Sequence, residues 1–327
     1  MGSFRPDPNL LKKHPNAITQ QQIDEKSRFL GTLLGAAAGE ALGAPYEFKS
    51  AGEIGAPPRE ITGGGMWAPG EPTDDIELTL ALLRSIVACG RLDVEDVARG
   101  YLQWFAGKPK DIGNLTRVAL ENLRAGDPPS QSGAIAWEDT GRRSAGNGSV
   151  MCCAPIGLLH VRHFEGLAED AAAASRITHY DPRCVAGCLA VTTAIAHLVR
   201  GGKDAEEAVE RAASAAGSIS DDVRSVVERA PARKPSDLRV DGPDQGFVLH
   251  TVELAFSALA SSAGFEEGIV AVVSRGGDAD TNACVAGALL GAKLGKSRIP
   301  DRWLSKLRAA PELTSLGEQL YRQLQIR

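Results

Sequence analysis

The sequence predicts a single all-α domain, and three observations lead to this fold class. Aromatic residues make up only 5% of the 327 residues, whereas alanine and glycine are plentiful, a composition that suits closely packed helices better than a β-sandwich. Helical periodicity dominates and strand signals are sparse, since a segment such as "REIT" (59–62) is too short to build a sheet. Finally, two glycine-striped segments lie near opposite ends of the chain, and a domain boundary between them would separate two helices that each need a close partner.

The first part of the chain is polar and lacks helical periodicity up to about residue 23. Terminal segments of this kind are often poorly ordered. We therefore expect residues 1–25 to form a flexible N-terminal extension and residues 26–327 to form the folded domain.

A helix is predicted over residues 28–42, where glycines recur at every fourth position. Glycine costs about 1 kcal/mol relative to alanine in a helix interior, so a stripe of glycines implies that another backbone packs very close. A second stripe follows near the C-terminus. We expect both helices to be central and to be neighbours. The first stripe is Gly31, Gly35, Gly39 and Gly43, and the second is Gly287, Gly291 and Gly295.

The next clear helix is "TDDIELTLALLRSIVACG" (73–90). Its apolar face is formed by Ile76, Leu80, Leu83 and Val87, and Gly90 is typical of a helix end. Periodicity predicts further helices at 93–106, 114–125, 150–160, 165–178, 183–199, 204–216, 221–229, 247–262, 265–273 and 301–323. Loops rich in glycine and proline are predicted at 50–72, 126–149 and 231–246.

The charge and cysteine content exclude several function classes. A formal net charge of -5 and a pI of about 5.8 give no basic footprint for nucleic acid. The six cysteines form no CxxC pair. Since no signal peptide is seen, we expect reduced thiols and a cytoplasmic location. No apolar run free of charges and breaks reaches membrane-spanning length, so we expect no membrane association.

Two acidic clusters precede apolar helices, and each has two interpretations. One cluster lies in "PTDDIE" (72–77), and the other lies in "GGDADT" (276–281). Either cluster could be a helix cap, because Thr and Asp accept hydrogen bonds from free backbone N–H groups. Either could instead supply hard oxygen ligands to Mg²⁺ or Mn²⁺.

The number of carboxylates favours the metal interpretation. One oxygen is enough to cap a helix end, so both clusters carry more carboxylates than a cap requires. Four aspartates drawn together would repel one another unless cations lay between them. The pattern is that of a two-metal site.

Three further motifs carry a weaker signal. "SAGNGS" (144–149) could hold a phosphate with its free backbone N–H groups, or it could be an ordinary turn. His179 in "THYDP" (178–182) could contact an anionic ligand, or it could be a helix C-cap or a surface residue. Glu47 in "GAPYEF" (43–48) is, taken alone, an ordinary loop glutamate.

Together and in this order, the five motifs resemble the ADP-ribosylglycohydrolase family, which includes dinitrogenase reductase-activating glycohydrolase and the ADP-ribosyl-acceptor hydrolases. The resemblance covers roughly residues 28–295. Any one motif is weak, but the ordered set is highly specific. The matching segments are "GTLLGAAAGEALGAPYEF", "PTDDIELTLAL", "SAGNGSVM", "THYDP", "GFVLHTVELAFSAL" and "GGDADTNACVAGALLGA".

The resemblance implies an all-α enzyme with a binuclear Mg²⁺ or Mn²⁺ centre. Such an enzyme hydrolyses the bond between the distal ribose of ADP-ribose and its acceptor. By motif, the metal ligands would be Thr73, Asp74, Asp75, Asp278, Asp280 and Thr281. The catalytic residues would be Glu47, which resembles the family's mobile, gating glutamate, with Asp278 and Asp280. The residues lining the substrate would be Ser144, Gly146, Asn147, Gly148, Ser149 and His179.

Several positions depart from the family pattern, although every expected metal ligand is present. The departures are Glu40 in place of Asp, Ile76 in place of the second Thr of "TDDT", Cys152 in place of Arg, Ser274–Arg275 before the glycine pair, and Ala145 where some relatives have an aromatic residue. We therefore expect activity.

The implied mechanism is attack by water at C1 of the distal ribose, with a metal-bound carboxylate or Glu47 accepting the proton. The substrate would be an ADP-ribosylated acceptor, and we expect a monomer. Two other functions fit the pattern, namely a non-catalytic ADP-ribose-binding or structural relative and a two-metal phosphohydrolase that cleaves the diphosphate. The sequence leaves open whether the acceptor is arginine, serine, a nucleobase or a small molecule, and whether the metal is Mg²⁺ or Mn²⁺.

Overall fold

The computed structural model describes the backbone of residues 15–202 and 204–326, and the side chains of residues 25–202 and 204–326. Within these ranges the chain forms sixteen α-helices joined by loops and 3₁₀ turns, together with three isolated β-bridges and no sheet. The predicted all-α fold class is confirmed. Of the predicted extension, residues 1–14 and the side chains of 15–24 lie outside the described residues, and the first helix begins at Pro15.

The helices, in chain order, are α1 (Pro15–Gly43), α2 (Ala51–Ile54), α3 (Asp74–Cys89), α4 (Val94–Ala106), α5 (Asn114–Ala125), α6 (Pro129–Asp139), α7 (Ala154–Leu159), α8 (Leu167–Arg176), α9 (Pro182–Arg200), α10 (Ala205–Gly217), α11 (Asp221–Arg229), α12 (Val248–Ser261), α13 (Phe265–Val273), α14 (Ala279–Leu294), α15 (Asp301–Leu304) and α16 (Ala310–Ile326).

Most predicted helices are present, but the predicted loop at 126–149 was wrong because it contains α6. Proline, serine and glycine there read as loop residues, yet Pro129 occupies the first helical position, where proline is well tolerated. Tertiary contacts hold the rest of the helix. The Ser132 hydroxyl donates to the Ile177 carbonyl at 2.7 Å, and Gly133 packs against the backbone of Arg176.

Two further predicted boundaries differ. The helix predicted at 301–323 is divided into α15 and α16, and between them the backbone N–H of Arg308 donates to the Gly70 carbonyl at 2.9 Å. The helix predicted at 150–160 begins only at Ala154, because the chain before it forms a turn in which the Val150 N–H donates to the Asn147 carbonyl.

The two glycine stripes face each other, with α1 and α14 antiparallel and in backbone contact. A Cβ atom on Gly31 would lie 2.6 Å from the carbonyl oxygen of Gly291, and a Cβ on Gly287 would collide with the carbonyl of Gly35. No side chain fits between these helices. The prediction that the striped helices are central neighbours is therefore correct.

Helix α9 is the one described helix that is long and apolar enough to span a membrane, with a mean hydropathy of 1.4. Of the span, 83% is buried inside the protein, as is typical of a central helix in a helical domain. The helix matches the one predicted at 183–199, and the charged residues Arg183 and Arg200 lie near its two ends.

The end of α1 positions the starts of two other helices. A Cβ atom on Gly43 would lie 2.5 Å from the Cα atom of Asp280, at the start of α14. One turn earlier, Glu40 accepts hydrogen bonds from the backbone N–H groups of Thr73 and Ile76, at the start of α3. The two predicted acidic clusters therefore meet beside the C-terminal end of α1.

Candidate active site

Carboxylates from three segments converge at the starts of α3 and α14. One oxygen from each of Glu47, Asp278 and Asp280 lies within 4.8 Å of the other two. The Thr281 hydroxyl donates to Oδ2 of Asp75 at 3.3 Å, which links clusters that are 206 residues apart in sequence. The fold thus joins the two predicted clusters into one acidic site.

The helix-cap interpretation does not describe these residues well. Neither Thr73, at the start of α3, nor Asp278, at the start of α14, makes a capping hydrogen bond with its side chain. The start of α3 is capped instead by Glu40, whose Oε1 accepts hydrogen bonds from the N–H of Thr73 at 2.7 Å and of Ile76 at 3.1 Å. The Thr73 hydroxyl also donates to Glu40, at 2.8 Å.

Burial and mutual repulsion disfavour the charged forms of these acids. Burial, with a further contribution from the charge of Asp278, raises the pKa of Glu47 to about 8. Burial also raises the pKa of Asp74 to about 7, and it raises the pKa values of Asp75 and Asp280 well above their usual range. So many buried carboxylates must hold protons or surround positive charge.

The ligand atoms of this site fit a hard divalent cation. Oδ1 of Asp75 is buried and has no hydrogen-bond partner among the described residues, as is expected of an oxygen that would face a cation. Among the described residues, the group placed closely enough to share an ion contains carboxylates only. Oxygen ligands without Cys or His suit Mg²⁺ or Mn²⁺ better than zinc.

The glycine-rich segment 144–149 borders the acidic site and orients one of its acids. It pairs with the chain at Gly246 and Val248 through two backbone hydrogen bonds of 3.0 Å. The side-chain amide of Asn147 donates to Oδ2 of Asp278 and to the Thr251 hydroxyl, both at 2.9 Å. Asn147 therefore holds Asp278 in a fixed orientation.

His179 lies beneath this segment. It is only 2% exposed, its Nδ1 is 2.9 Å from the Thr178 hydroxyl, and burial lowers its pKa to about 4, so the ring is neutral at pH 7. A Cβ atom on Gly148 would lie 2.7 Å from Cε1 of His179, so only glycine fits there without a shift. Any contact of His179 with an anion would come from a neutral ring.

The two serines predicted to line the substrate differ in exposure. Ser149 is 4% exposed, and its hydroxyl lies 3.0 Å from the hydroxyl of Ser175 and 3.4 Å from the thiol of Cys188, in the protein interior. Ser144 is half-buried. Of these two serines, only Ser144 is partly exposed and so accessible to a substrate.

At four positions that depart from the family pattern, the side chain belongs to the hydrophobic core or donates to a backbone carbonyl. Ile76 is part of the hydrophobic core. The buried thiol of Cys152 lies 3.6 Å from the hydroxyl of Tyr101. Ala145 is buried, and Arg275 donates from Nε to the Leu238 carbonyl at 3.1 Å.

Two acidic residues of the site were missed or underrated by the sequence reasoning. Glu40 was noted only as a departure, and Asp111, in the loop before α5, was not singled out. The negative charge of Asp111 contributes to the raised pKa values of Glu47 and Asp74. An aspartate in the proline- and glycine-containing segment "KPKDIG" (108–113), just before a helix, was the available signal.

Comparison with known proteins agrees with this geometry. The model of the family described as ADP-ribosylglycohydrolase matches residues 21–327. The ADP-ribosyl-[dinitrogen reductase] glycohydrolase of Rhodospirillum rubrum is 34% identical over 86% of this chain and 90% of its own length. The ADP-ribosylarginine hydrolase Tri1 of Serratia proteamaculans is 28% identical over 96% of this chain and 84% of its own length.

A solved structure described as an ADP-ribosylglycohydrolase-related protein complex superposes with a TM-score of 0.79 at 32% sequence identity, and the match covers 92% of this chain and 99% of that one. The motif order, the fold and these relatives agree. The chain therefore belongs to the ADP-ribosylglycohydrolase family, and the predicted class of enzyme, a hydrolase of the glycosidic bond to ADP-ribose, is confirmed.

Proposed function

We propose that this protein removes ADP-ribose from modified arginine side chains and that its acidic site holds two divalent cations, Mg²⁺ or Mn²⁺, while it does so. The observation that carries the metal proposal is the buried Oδ1 of Asp75, which has no hydrogen-bond partner among the described residues, near the group formed by Glu47, Asp278 and Asp280. The residues that would hold the cations are Thr73, Asp74, Asp75, Asp278, Asp280 and Thr281.

The arginine acceptor is supported by charge and by two relatives. A guanidinium group stays cationic at every physiological pH, and the site is acidic, with the negative charges of Asp111 and Asp74 both contributing to the raised pKa of Glu47. The Tri1 proteins of Serratia proteamaculans and Pseudomonas putida, 28% and 30% identical to this chain, are ADP-ribosylarginine hydrolases.

Bound cations would neutralise the carboxylates and act as Lewis acids toward oxygen atoms of the substrate. Beside that positive charge, the Glu47 carboxyl group would ionise at neutral pH and could accept a proton from the water that attacks C1 of the distal ribose. Asn147 would keep Asp278 oriented. The backbone of segment 144–149, supported from below by the neutral His179, would hold the diphosphate.

The test is an assay of the full chain on peptides ADP-ribosylated at arginine or at serine, with Mg²⁺ or Mn²⁺ added after chelation. We expect release of free ADP-ribose, with the highest kcat/KM on the arginine peptide. Release of AMP instead would indicate cleavage of the diphosphate. A higher kcat/KM on the serine peptide would contradict the proposed acceptor.

A further inference from the structure

The last turn of α1 contacts the backbone at the starts of both helices that carry the aspartate clusters. Gly43 lies against the backbone of Asp280, and Glu40 binds the backbone at the start of α3. Residues three apart lie on the same side of a helix. One turn of α1 therefore touches both halves of the acidic site.

Glu40 is well placed to fix the first half. It is 1% exposed, and its Oε1 accepts all three hydrogen bonds described above, two from backbone N–H groups and one from the Thr73 hydroxyl. Because Glu40 accepts from the N–H groups of Thr73 and Ile76, the aspartates of the first turn need not accept from these two groups. Because the Thr73 hydroxyl donates its proton to Glu40, its oxygen lone pairs remain available.

We infer that Glu40 is a positioning residue that sets the place of the α3 cluster relative to the α14 cluster, and thereby the affinity of the site for divalent cations. The inference rests on the proposed metal-dependent function. Its basis is geometric, since one oxygen of Glu40 accepts from all three donors at the start of α3, at 2.7, 2.8 and 3.1 Å. Aspartate is one methylene shorter, so from the same place on α1 we expect it to lose part of this contact.

The test is a calorimetric titration of Mn²⁺ into the chelator-treated full chain, for the wild type and for Glu40→Gln, Glu40→Asp and Glu40→Ala. Glutamine keeps an acceptor oxygen at the same reach, so we expect its Kd for Mn²⁺ to stay within about threefold of the wild type. Aspartate and alanine lose the reach or the acceptor, and we expect a Kd about 10 to 100 times higher, the usual effect of removing a group that orients metal ligands.

Asp93→Ala is the matched control, because Asp93 caps the neighbouring helix α4 through the Asp96 N–H at 3.0 Å and lies outside the acidic site. It should lower the melting temperature and leave the Kd for Mn²⁺ unchanged.

The inference is overturned if Glu40→Ala and Glu40→Asp bind Mn²⁺ like the wild type. It is also overturned if Glu40→Gln raises the Kd for Mn²⁺ as much as Glu40→Ala does, since loss of charge alone would then explain the weaker binding. If Glu40→Ala does not fold, Glu40→Asp and Glu40→Gln decide the question. A wild type that binds no Mn²⁺ would refute the metal proposal itself.

Discussion

Asp75 and Asp280 are almost completely buried, with exposures of 1% and 3%. Such burial is rare for carboxylates unless they are paired or bind metal. The sequence motifs identified both residues because aspartate clusters before apolar helices are visible in the primary structure. The roles of Glu40 and Asp111 were not visible, because the residues that each of them affects are distant in sequence and belong to other elements.

Replacing Asp280 with asparagine separates the two interpretations of the "GGDADT" motif. Asparagine caps helices about as well as aspartate, so a capping role predicts almost no loss. A metal-ligand role predicts at least about a tenfold loss of affinity for Mn²⁺ and a large loss of turnover. The metal-free melting temperature should stay the same or rise, because one of several crowded carboxylates is removed.

Glu77→Gln is the control for Asp280→Asn, measured for turnover, Mn²⁺ affinity and metal-free melting temperature. Glu77 also lies in the first turn of a helix, but its carboxylate accepts a hydrogen bond from the indole N–H of Trp104, which glutamine can also accept. We expect near wild-type values for the control. If both variants have the turnover and Mn²⁺ affinity of the wild type, Asp280 serves only as a residue at the start of a helix and does not bind metal.

The pH dependence of stability follows from the raised pKa values. Burial raises the pKa of Glu40 and of Glu47 from the usual 4.5 to about 8, so the folded state binds more protons than the unfolded chain between these values. This contribution to stability is fully present below about pH 4.5 and is lost as the pH rises through about 8. The metal-free protein should therefore become less stable from pH 5 to pH 8.

Thermal unfolding in chelator at several pH values between 5 and 8.5 measures this trend. Saturating Mg²⁺ should reverse it, because cations bind the ionised carboxylates. Glu47→Gln should flatten the metal-free curve. A metal-free melting temperature that rises steadily from pH 5 to pH 8 would show that these acids are not buried together as described.

At the scale of elements, the contact between α1 and α14 was the most predictable part of the fold. Two stripes with four-residue spacing pointed to two helices that pack backbone to backbone, and the structure pairs Gly31 with Gly291 and Gly35 with Gly287. Helix α6 was not predictable in the same way. Its proline, serine and glycine residues have weak helix propensity, and contacts with the end of α8 hold them in a helix, which is a tertiary effect.

Gly287→Ala tests the contact between the glycine stripes of α1 and α14. Its Cβ would collide with the Gly35 carbonyl, which belongs to backbone and cannot move away as a side chain could. We expect a loss of about 3 kcal/mol in the free energy of unfolding, or failure to fold. Gly52→Ala is the matched control, because a Cβ on Gly52 in α2 meets nothing within 4 Å. It should be neutral or stabilising by up to about 1 kcal/mol, as measured by urea unfolding.

At the scale of the whole molecule, the acidic site is assembled from helix starts and loops that are far apart in sequence. The starts of α3 and α14, the loop after α1 and segment 144–149 all belong to it. A ligand that binds all of these parts binds only the folded chain. The family resemblance indicated which segments meet, but the spacing of residues could not show that α1 holds two of them together.

Ligand binding should therefore stabilise the whole chain. At 100 times its Kd, a ligand that binds only the native state adds about 2.7 kcal/mol to the free energy of unfolding. ADP-ribose and Mg²⁺ together should raise the melting temperature by more than the sum of their separate shifts, because segment 144–149 and the acidic site border each other. Thermal unfolding with each component singly and together measures this, and purely additive shifts would argue that they occupy separate sites.

We propose that the acidic site hydrolyses the bond between ADP-ribose and its acceptor with divalent cations in place. The most direct test is the product released from a peptide ADP-ribosylated at arginine, followed after exhaustive chelation and again after Mg²⁺ or Mn²⁺ is restored. We expect no turnover in chelator, and release of free ADP-ribose with an unmodified arginine left on the peptide when the cation returns. Full turnover of the chelated enzyme would contradict the metal-dependent mechanism, and release of AMP with ADP-ribose absent would contradict the glycosidic reaction.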